Sequence, residues 1–502
     1  MRDLDKRTIE KGNIPGKDLM YRAGIGAGEY ILDFIKQYSS QHKKRFIILA
    51  GKGNNGGDAF VIAKYLAEKT DMQIIIFATS AIEELSLDAK FYAEQLPTTT
   101  TYEVREKLKY EDFQTGDIII DGILGSGFKG KLREYLNNWF TIIKSSHLPI
   151  ISLDIPSGLN ADDGSHGANA IFADLTISMG MPKFGYFNSK NSKLFGRLKN
   201  VDIGIPKKFI NEIDSEINAI FECDVRKIFK KISNNSEKYS RGYVSIIGGS
   251  SLYRGAPFLS AKAALRSGAG IVTLMLPKSI VNSSDYKALI MHKLTDKNGF
   301  FSKESIKDLK PLIKTRISSI VIGPGMGNKE QTIPFLAEVA KQDIPIVFDA
   351  DALNLICKKT EIITERKGIS ILTPHGSEMR RLCEAFEIES NGRINNAKKL
   401  AKLTNSTVVL KGNRTIIVSP NCELRINTSG SPALATAGSG DVLAGMIASY
   451  LAQGYSSEDA STISVFIHGL IGEKSPYGIR GLIADDIIDL IPEVTKQITP
   501  FA

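Results

Sequence analysis

Residues 45–58 read Arg45-Phe-Ile-Ile-Leu-Ala-Gly-Lys-Gly-Asn-Asn-Gly-Gly-Asp58. The first six residues form a short apolar run that ends at glycines, which predicts a buried β-strand. Apolar residues at helical spacing follow from Gly57 to Glu68 and predict a helix. A strand that passes through a glycine-rich loop into a helix is typical of a parallel α/β sheet that binds a ligand at the carboxyl ends of its strands.

Similar apolar runs recur on both sides of this segment. In the first half they predict strands at 73–77, 117–121 and 149–154, and a helix at 18–38. In the second half they predict strands at 243–248, 270–276, 318–323, 344–349, 369–372 and 406–410. Alternating strands and helices favour parallel sheets that are covered on both faces. The pattern breaks over residues 205–238, which we interpret as a connector between α/β domains at 1–221 and 222–502.

The bulk composition fits this division. The chain has 502 residues, and single hydrophobic cores stop growing at roughly 250–300 residues. Hydrophobic residues make up 42% and charged residues 24%, as in ordinary globular proteins. The net charge of +9 would attract anionic ligands. Because the lysines are scattered, we expect the protein to bind phosphorylated small molecules and no nucleic acid. The alternative is that the basic surface has no functional role.

The cysteines and apolar segments indicate the compartment. The four cysteines, Cys223, Cys357, Cys383 and Cys422, include no closely spaced pair, which favours reduced thiols in the cytoplasm. The first ten residues have mixed charge and no apolar run, so no signal peptide is expected. No run of 18 or more apolar residues occurs, so no membrane partner is expected.

The glycine-rich loop has a plain alternative explanation and a functional one. A turn that places Asn in the left-handed region would need no ligand. The paired Asn54 and Asn55, however, add amide groups that a simple turn does not require. Asp121 and Asp154 end two further predicted strands, each followed by a glycine-containing loop. Because the carboxyl ends of parallel strands share one edge, these polar residues are expected to converge on one crevice.

This combination resembles the NAD(P)H-hydrate epimerase family over most of residues 1–215. The resemblance rests on Ile14–Met20, Gly53–Asp58, Asp121 and Asp154-Ile-Pro-Ser-Gly158. It implies a Rossmann-like three-layer sandwich in which two loops hold the dinucleotide substrate. The implied substrate-binding residues are Asn54, Asn55, Gly56, Gly57, Asp58, Gly125, Ser126, Gly127, Phe128, Lys129, Gly130, Lys131 and Asp154.

The same resemblance implies a potassium ion. Its side-chain ligands by matching position would be Asn55, Asp121 and Ser157, whose hard oxygen donors suit such a cation. Inversion at the hydroxyl-bearing carbon needs proton movement near the nicotinamide. We assign Asp154 as the general acid or base, because it ends a strand that faces the crevice.

The second half carries Thr436-Ala-Gly-Ser-Gly-Asp441 at the start of a predicted helix. Backbone N–H groups of Gly438 to Gly440 would point at one spot and form an anion hole, and Asp441 would accept a proton from an attacking hydroxyl. The alternative is an ordinary helix start with an acidic residue favoured by the helix dipole.

Four further segments favour the catalytic interpretation. They are Gly323–Gly327, Asp349–Asn354, Leu372–His375, and Lys411-Gly412 with Thr415. With the glycine motif they resemble ADP- or ATP-dependent NAD(P)H-hydrate dehydratases of the ribokinase-like superfamily, over roughly residues 239–491. The resemblance implies a second three-layer α/β domain. Relatives fused in this order are usually ADP-dependent, and the family suggests a homo-oligomer.

Site roles follow from this second resemblance. Ala256, Gly325, His375 and Asp441 would bind the hydrated dinucleotide. ADP would be held by Lys411, Gly412, Asn413, Arg414, Thr415 and Gly440. Asp349 and Asp351 would hold Mg²⁺ through water or order the site.

The sequence therefore predicts a bifunctional enzyme that repairs hydrated NADH and NADPH. The first domain would interconvert the R and S hydrates, and the second would dehydrate the S-hydrate at the expense of ADP, giving AMP and phosphate. One alternative is a ribokinase-like kinase for a vitamin precursor with a dinucleotide-sensing first domain. Another is a first domain that binds dinucleotide as a scaffold without chemistry.

Overall fold

A computed structural model of the chain describes residues 1–36, 45–129, 132–187, 194–213, 215–280 and 288–499. The chain divides into two compact units, Met1–Ser215 and Glu216–Ala502. No helix in the described ranges is long and apolar enough to cross a membrane.

The first unit is built on a seven-stranded parallel sheet with the order β3-β2-β1-β4-β5-β6-β7. The strands are β1 Phe46–Ala50, β2 Ile74–Ala78, β3 Thr100–Val104, β4 Ile118–Gly122, β5 Ile150–Leu153, β6 Leu175–Met179 and β7 Arg197–Val201. Most are buried apolar runs, as expected for parallel strands covered on both faces. The strand order reverses beside β1, which places a crevice between β1 and β4.

Helices cover both faces of this sheet. They are α1 Arg2–Glu10, α2 Gly16–Lys36, α3 Asn54–Lys69, α4 Leu87–Ala93, α5 Glu134–Ser145 and α6 Lys207–Asn211. Residues of α2 and α3 form one buried cluster with alternate strand residues. Trp139 and Phe140 of α5 pack with Ile47 and Ile119 in a second cluster on the opposite face. The unit is therefore a three-layer α/β sandwich.

The second unit has a ten-stranded sheet with the order β11-β10-β9-β12-β13-β14-β15-β16-β17-β8. The strands are β8 Ile217–Ile220, β9 Tyr243–Ile247, β10 Ile271–Pro277, β11 Ile290–Leu294, β12 Ser319–Ile322, β13 Ile346–Phe348, β14 Ser370–Leu372, β15 Thr407–Leu410, β16 Ile416–Val418 and β17 Leu424–Asn427. β16 runs antiparallel to both of its neighbours, and the other pairs are parallel.

Helices again lie on both faces of the sheet. They are α7 Glu222–Ile228, α8 Ala256–Arg266, α9 Ile306–Ile313, α10 Ile333–Ala340, α11 Asp351–Lys358, α12 Glu361–Thr364, α13 Gly376–Ala385, α14 Arg393–Thr404, α15 Ser439–Ala452, α16 Ser457–Lys474 and α17 Ala484–Ile498. One core cluster joins α8, α15, α16 and α17 to alternate strand residues such as Val321 and Val347. Their strand neighbours Ile322 and Phe348 are also fully buried and lie outside that cluster, so the second face is covered too.

The predicted connector at 205–238 contains more structure than its sequence indicated. β8 adds to the edge of the second sheet by pairing with β17, and Thr428 donates a hydrogen bond to the Ile220 carbonyl. The division into units thus falls between Ser215 and Glu216, a few residues before the boundary expected at 221. β8 alternates only weakly between buried and exposed residues, which is why its sequence resembled a linker.

Candidate active sites

A cavity of about 590 Å³ lies at the carboxyl ends of the strands in the first unit. Gly51 to Asn55 after β1, Ile123 to Lys129 after β4, and Asp154 after β5 line it. α1 and α2 close another side with Asp5 and Leu19. This is the crevice at which the sequence placed the ligand.

The glycines of the β1–α3 loop differ in the space around them. A Cβ on Gly51 would lie 2.0 Å from the Ile123 carbonyl oxygen, and a Cβ on Gly56 would lie 1.8 Å from the Gly51 carbonyl oxygen. These two glycines therefore allow close backbone packing. A Cβ on Gly53 would meet no atom within 4 Å, and this residue is exposed beside the cavity. Of the three glycines, only Gly53 leaves room for a ligand.

Asp121, Ser157 and Asn55 meet beside this loop. Ser157 donates from Oγ to Asp121 Oδ1 at 2.6 Å and from its backbone N–H to Oδ2 at 2.9 Å. Burial raises the pKa of Asp121, while these hydrogen bonds oppose the rise. Asn55 packs against the backbone of Gly125. Its side-chain oxygen and nitrogen are both buried without a hydrogen-bond partner among the described residues.

Asp154 forms a buried ion pair with Lys183, a residue that sequence reasoning missed. Lys183 also donates to the Met179 carbonyl at 3.0 Å, and Ser126 N–H donates to Asp154 Oδ2 at 3.0 Å. Burial alone would raise the pKa of Asp154, but the charge and hydrogen bonds of Lys183 and Ser126 outweigh it and hold the pKa below its usual value. Asp154 is therefore ionised at neutral pH.

Two other carboxyl groups with raised pKa values lie in this cavity. Asp58, in the first turns of α3, is buried, and burial with the neighbouring charges of Asp154 and Asp5 raises its pKa well above the usual value. Asp5 on α1 also has a raised pKa, first because of burial. The cavity thus combines the ion pair of Asp154 and Lys183 with two carboxyl groups whose pKa values are raised above the usual value.

The structure brings together most of the predicted epimerase residues. Asn54, Asn55, Asp58, Gly125 to Lys129 and Asp154 line the cavity. Gly56 and Gly57 are buried behind it, and a Cβ on Gly57 would strike the Met20 side chain. The predicted Gly130 and Lys131 lie outside the described residues.

In the second unit, α15 begins at Ser439 after Gly438, which has φ +83°. The first N–H groups of any helix lack an intrahelical acceptor, and Ser439 N–H turns back to the Thr436 carbonyl at 3.4 Å. Among the described residues the amides of Gly440 and Asp441 have no backbone acceptor, so they are available as donors at this helix start. Buried His468 of α16 contacts Ser439 Oγ at 3.0 Å and its carbonyl oxygen at 3.1 Å.

Asp441 lies in a cluster of carboxylates around one lysine. Lys411 Nζ lies 2.7 Å from Asp349 Oδ1, which also accepts from Thr373 Oγ1 at 2.6 Å. Burial, and then the charge of Asp349, raise the pKa of Asp441 to about 8 despite the nearby Lys411. Burial also raises the pKa of Glu378 on α13.

Of the predicted dinucleotide-binding residues, His375 lies near this cluster, and Gly325 and Ala256 lie close to each other. A Cβ on Gly325 would lie 2.6 Å from the Tyr253 carbonyl oxygen and 3.3 Å from the Ala256 side chain, so these loops pack directly together. Gly327 N–H donates to Asp351 Oδ2 at 2.8 Å. His375 caps α13 by accepting from Ser377 N–H at 3.1 Å.

His375 is half-exposed and next to the lysine–carboxylate cluster. Burial, and then the charge of Lys411, lower its pKa, so the imidazole is neutral near pH 7. Its Nδ1 accepts from the helix backbone, which leaves Nε2 as the N–H donor. The Nε2 atom lies 3.3 Å from Glu378 Oε1. His375 is thus both a helix cap and an accessible donor.

In the loop 411–415, which is predicted to hold the phosphates of ADP, several groups already have partners in the protein. Lys411 points to Asp349 and lies beside Gly440, and the buried Arg414 donates to the Thr428 carbonyl. Arg393, which begins α14 and was not predicted, instead donates to the Asn413 carbonyl at 2.9 Å. Gly412 has φ +141°, and Thr415 Oγ1 closes the turn on its carbonyl at 3.0 Å. The Arg414 side chain is therefore bonded within the protein, whereas the Lys411 ammonium group lies beside Gly440 as well as Asp349.

The residues that sequence reasoning missed differ in how far a local sequence pattern could have revealed them. Lys183 follows the apolar run of β6, a strand that was not among those predicted, so this residue was identifiable in principle. Asp5 lies in an exposed-looking polar segment and is brought to the cavity by α1. His468 and Arg393 act through contacts with residues 29 and 20 positions away, which no local pattern reveals.

Comparisons with known proteins agree with this geometry. A family model described as NAD(P)H-hydrate dehydratase matches residues 244–493, and one described as YjeF-related protein N-terminus matches residues 16–185. The bifunctional NAD(P)H-hydrate repair enzyme Nnr of Dictyoglomus turgidum is 33% identical over 506 residues, covering 99% of this chain and 97% of the relative.

Two further proteins are similar to this chain. The enzyme of the same description from Moorella thermoacetica is 31% identical over 515 residues, covering 99% of this chain and 96% of the relative. A crystal structure of ADP/ATP-dependent NAD(P)H-hydrate dehydratase from Bacillus subtilis, co-crystallized with ATP/Mg²⁺, is 26% identical. The match covers 55% of this chain and 97% of that protein, with a TM-score of 0.47.

Two α/β units, each with polar residues gathered at the carboxyl ends of parallel strands, define a two-domain enzyme of the α/β class. The two family models fall on separate units, and the relatives match across nearly the whole chain. The chain belongs to the family of bifunctional NAD(P)H-hydrate repair enzymes.

Proposed function

We propose that the first unit interconverts the R and S hydrates of NADH and NADPH, and that the second dehydrates the S-hydrate with ADP. The products are NAD(P)H, AMP and phosphate. Family membership supports both activities over the alternative of a vitamin-precursor kinase. The buried acid–lysine cluster in the cavity of the first unit supports catalysis there over mere dinucleotide sensing, because a sensor needs no such group.

Asp441 is the proposed base of the dehydratase. Its carboxylate takes the proton of the hydroxyl on the hydrated ring, and the hydroxyl oxygen attacks the terminal phosphoryl group of ADP. The bond to the bridging oxygen breaks and AMP leaves. The free amides at Gly440 and Asp441 stabilise the charge on the phosphoryl oxygens in transfer. The ring nitrogen then expels phosphate, and loss of a proton from the neighbouring carbon restores the dihydronicotinamide.

The neighbouring groups of the second unit have supporting roles in this proposal. Gly325 and Ala256 allow the dinucleotide to approach the backbone, and His375 donates a hydrogen bond from Nε2. The backbone of Gly412 to Thr415 holds the phosphates of ADP. Lys411 forms an ion pair with Asp349 and brings positive charge next to the anion hole at Gly440.

Mg²⁺ fits this site only as a partly hydrated ion. Asp349 Oδ2 is buried and accepts no hydrogen bond from a described residue, so it can bind a cation. No three His, Cys, Asp or Glu side chains of the described residues form a metal-ligand group. Mg²⁺ commonly binds through one or two carboxylates, waters and substrate phosphates, and here it would neutralise phosphate charge.

The first unit has oxygen donors that could hold a potassium ion. The partnerless Asn55 side chain, with Asp121 and Ser157 beside it, offers oxygen donors next to the dinucleotide loops. A bound potassium ion would order the loops after β1 and β4. The location in the cytoplasm and the homo-oligomeric state expected from the sequence belong to this proposal as well.

The dehydratase assignment rests on one observation. Asp441 and the free amides at the start of α15 lie next to the Asp349–Lys411 pair and the loop 411–415. The test is a nucleotide panel with hydrated NADH, following the return of dihydronicotinamide absorbance for wild type and Asp441→Asn. We expect return with ADP for wild type, and a loss of at least about 100-fold in the variant with epimerisation intact. Equal rates in both proteins would remove Asp441 from its role.

A further inference from the structure

We propose that Asp154 accepts and Asp58 donates the protons that move during epimerisation, and that Lys183 fixes these roles by its ion pair with Asp154. Asp154, paired with Lys183, is the base, and Asp58 carries the proton that is donated. The sequence had assigned acid and base work to Asp154 alone and had treated Asp58 as a binding residue. This inference rests on the proposed epimerase function of the first unit.

The position of Lys183 is the first support. Its side chain is 5% exposed, and its ammonium group donates to Asp154, to the Met179 carbonyl and to Ser178 Oγ at 3.4 Å. A buried lysine is costly unless its charge is paired, so Lys183 and Asp154 are held together as an ion pair. Both residues line the cavity. Asp154 is also one of the few non-glycine residues with a left-handed backbone, at φ +61°, which aims its side chain at Lys183 and Ser126.

The position of Asp58 is the second support. It lines the same cavity and is close enough to Asp154 for that charge to raise its pKa, after the larger effect of burial. Asp5 faces it from α1 and raises the pKa further, and Lys183 opposes the rise less strongly. The other charged side chains on the cavity wall are Lys52, Asp88, Lys129 and Arg133. Because Lys183 is paired with Asp154 and opposes the rise in the Asp58 pKa less strongly than burial and the two carboxylates promote it, the cavity is more stable when Asp58 keeps its proton.

This arrangement suits a reaction by ring opening. The carbon that is inverted carries the hydroxyl and is bonded to the ring nitrogen. Asp154 takes the hydroxyl proton, the carbon–oxygen double bond forms, and the carbon–nitrogen bond breaks with its electron pair on nitrogen. Asp58 gives that nitrogen a proton. After rotation about the adjacent carbon–carbon bond, nitrogen attacks the other face of the carbonyl group. Asp58 then recovers its proton and Asp154 returns the first one, so both groups end as they began.

The test measures epimer interconversion by NMR for the full chain without nucleotide, across a pH series. The variants are Asp58→Asn, Lys183→Met and Lys183→Arg, with Asp33→Asn on the exposed face of α2 as the control. We expect Asp58→Asn to lower kcat by about 100-fold or more with little change in KM, since Asn cannot transfer a proton. We expect Lys183→Met to move the acid limb of the rate profile to higher pH, because Asp154 then holds its proton more tightly. Lys183→Arg should restore the wild-type limb.

Three outcomes would overturn the inference. They are a wild-type kcat in Asp58→Asn, an unshifted acid limb in Lys183→Met, or a lower kcat in Lys183→Met that Lys183→Arg does not rescue. The last outcome would indicate a purely structural lysine. Binding of NADPH to each variant shows whether the unit has folded. An absence of interconversion by wild type itself would instead refute the proposed epimerase function.

Discussion

At the scale of single residues, Asp441 makes the dehydratase sensitive to pH. Its pKa of about 8 in the free protein results mainly from burial and then from Asp349. A base acts only when it is deprotonated, so we expect kcat/KM for dehydration to rise as pH increases through about 8. The measurement is initial rates on the S-hydrate with saturating ADP. A profile that falls over this range would contradict the role of Asp441 as a base.

Asn55 should determine the response of the epimerase to potassium. Its buried amide oxygen has no partner among the described residues, so replacing Asn55 by Ala removes a proposed ligand without breaking a hydrogen bond in the protein. We expect the potassium concentration for half-maximal epimerisation to rise about tenfold or more. Mutation of a residue that holds or orients a metal ligand commonly lowers metal affinity by about this factor. The exposed neighbour Asn54, changed to Ala, is the control. An unchanged potassium response in Asn55→Ala would exclude this ligand.

Sequence reasoning at this scale succeeded where a residue follows a recognisable strand. Asp121, Asp154 and Asp441 belong to or follow clear elements; Asp154 lines the cavity, and Asp121 accepts a hydrogen bond from the Ser157 N–H. It could not predict the direction of a side chain that depends on a distant partner. The direction of the Lys411 side chain is set by Asp349, 62 positions away, and that of Arg414 by Thr428. The sign of a charge is visible in sequence, but its partner is not.

At the scale of elements, the helix start at α15 depends on a histidine in α16. Burial lowers the pKa of His468 to about 4, so the folded protein keeps this side chain neutral. Between pH 6.5 and about pH 4, His468 binds a proton in the unfolded chain but not in the folded chain. The free energy of unfolding therefore decreases as the pH falls through this range. The shift corresponds to about 3 kcal/mol at most. We expect His468→Gln to remove this part of the pH dependence in urea unfolding. A slope equal to that of wild type would contradict it.

The packing of α15 against α8 depends on Gly445. A Cβ there would lie 2.1 Å from the Ser260 carbonyl oxygen, so Gly445→Val forces the two helices apart. We expect the free energy of unfolding of the second unit to fall by about 3 kcal/mol or more, with dehydratase activity lost. Gly376→Ala, where no atom lies within 4 Å, should change the stability by less than about 0.5 kcal/mol. Similar denaturation midpoints for the two variants would refute the close contact.

Several central strands were predicted well from their buried apolar residues, although the buried strands β6 and β16 were missed. The central strands β1, β4, β5, β9, β12 and β13 follow the apolar runs within one or two residues. The strands without a sequence prediction include those at or near sheet edges, such as β3, β7, β8 and β11, whose residues are partly exposed. An edge strand needs fewer apolar residues, so its pattern resembles that of a loop.

At the scale of the whole molecule, each unit has its own sheet, core and site. We therefore expect two single-site variants to complement each other in solution. Asp154→Asn keeps a residue type that tolerates the left-handed backbone, and Asp441→Asn leaves the first unit intact. With ADP, Asp154→Asn alone should repair only the S-hydrate and Asp441→Asn alone almost none of an epimer mixture, whereas the two mixed together should repair all of it. Failure of the mixture, with each remaining activity present, would mean that the sites must act within one chain.

The most direct test of the assignment of one repair activity to each unit uses an equilibrium mixture of R and S NADH hydrates with excess ADP. The measured quantity is the fraction of dihydronicotinamide absorbance that returns before spontaneous epimerisation matters. We predict complete return with wild type, and return of the S fraction alone with Asp154→Asn. Wild type that stops at the S fraction, or that returns no absorbance with ADP or ATP, would contradict that assignment.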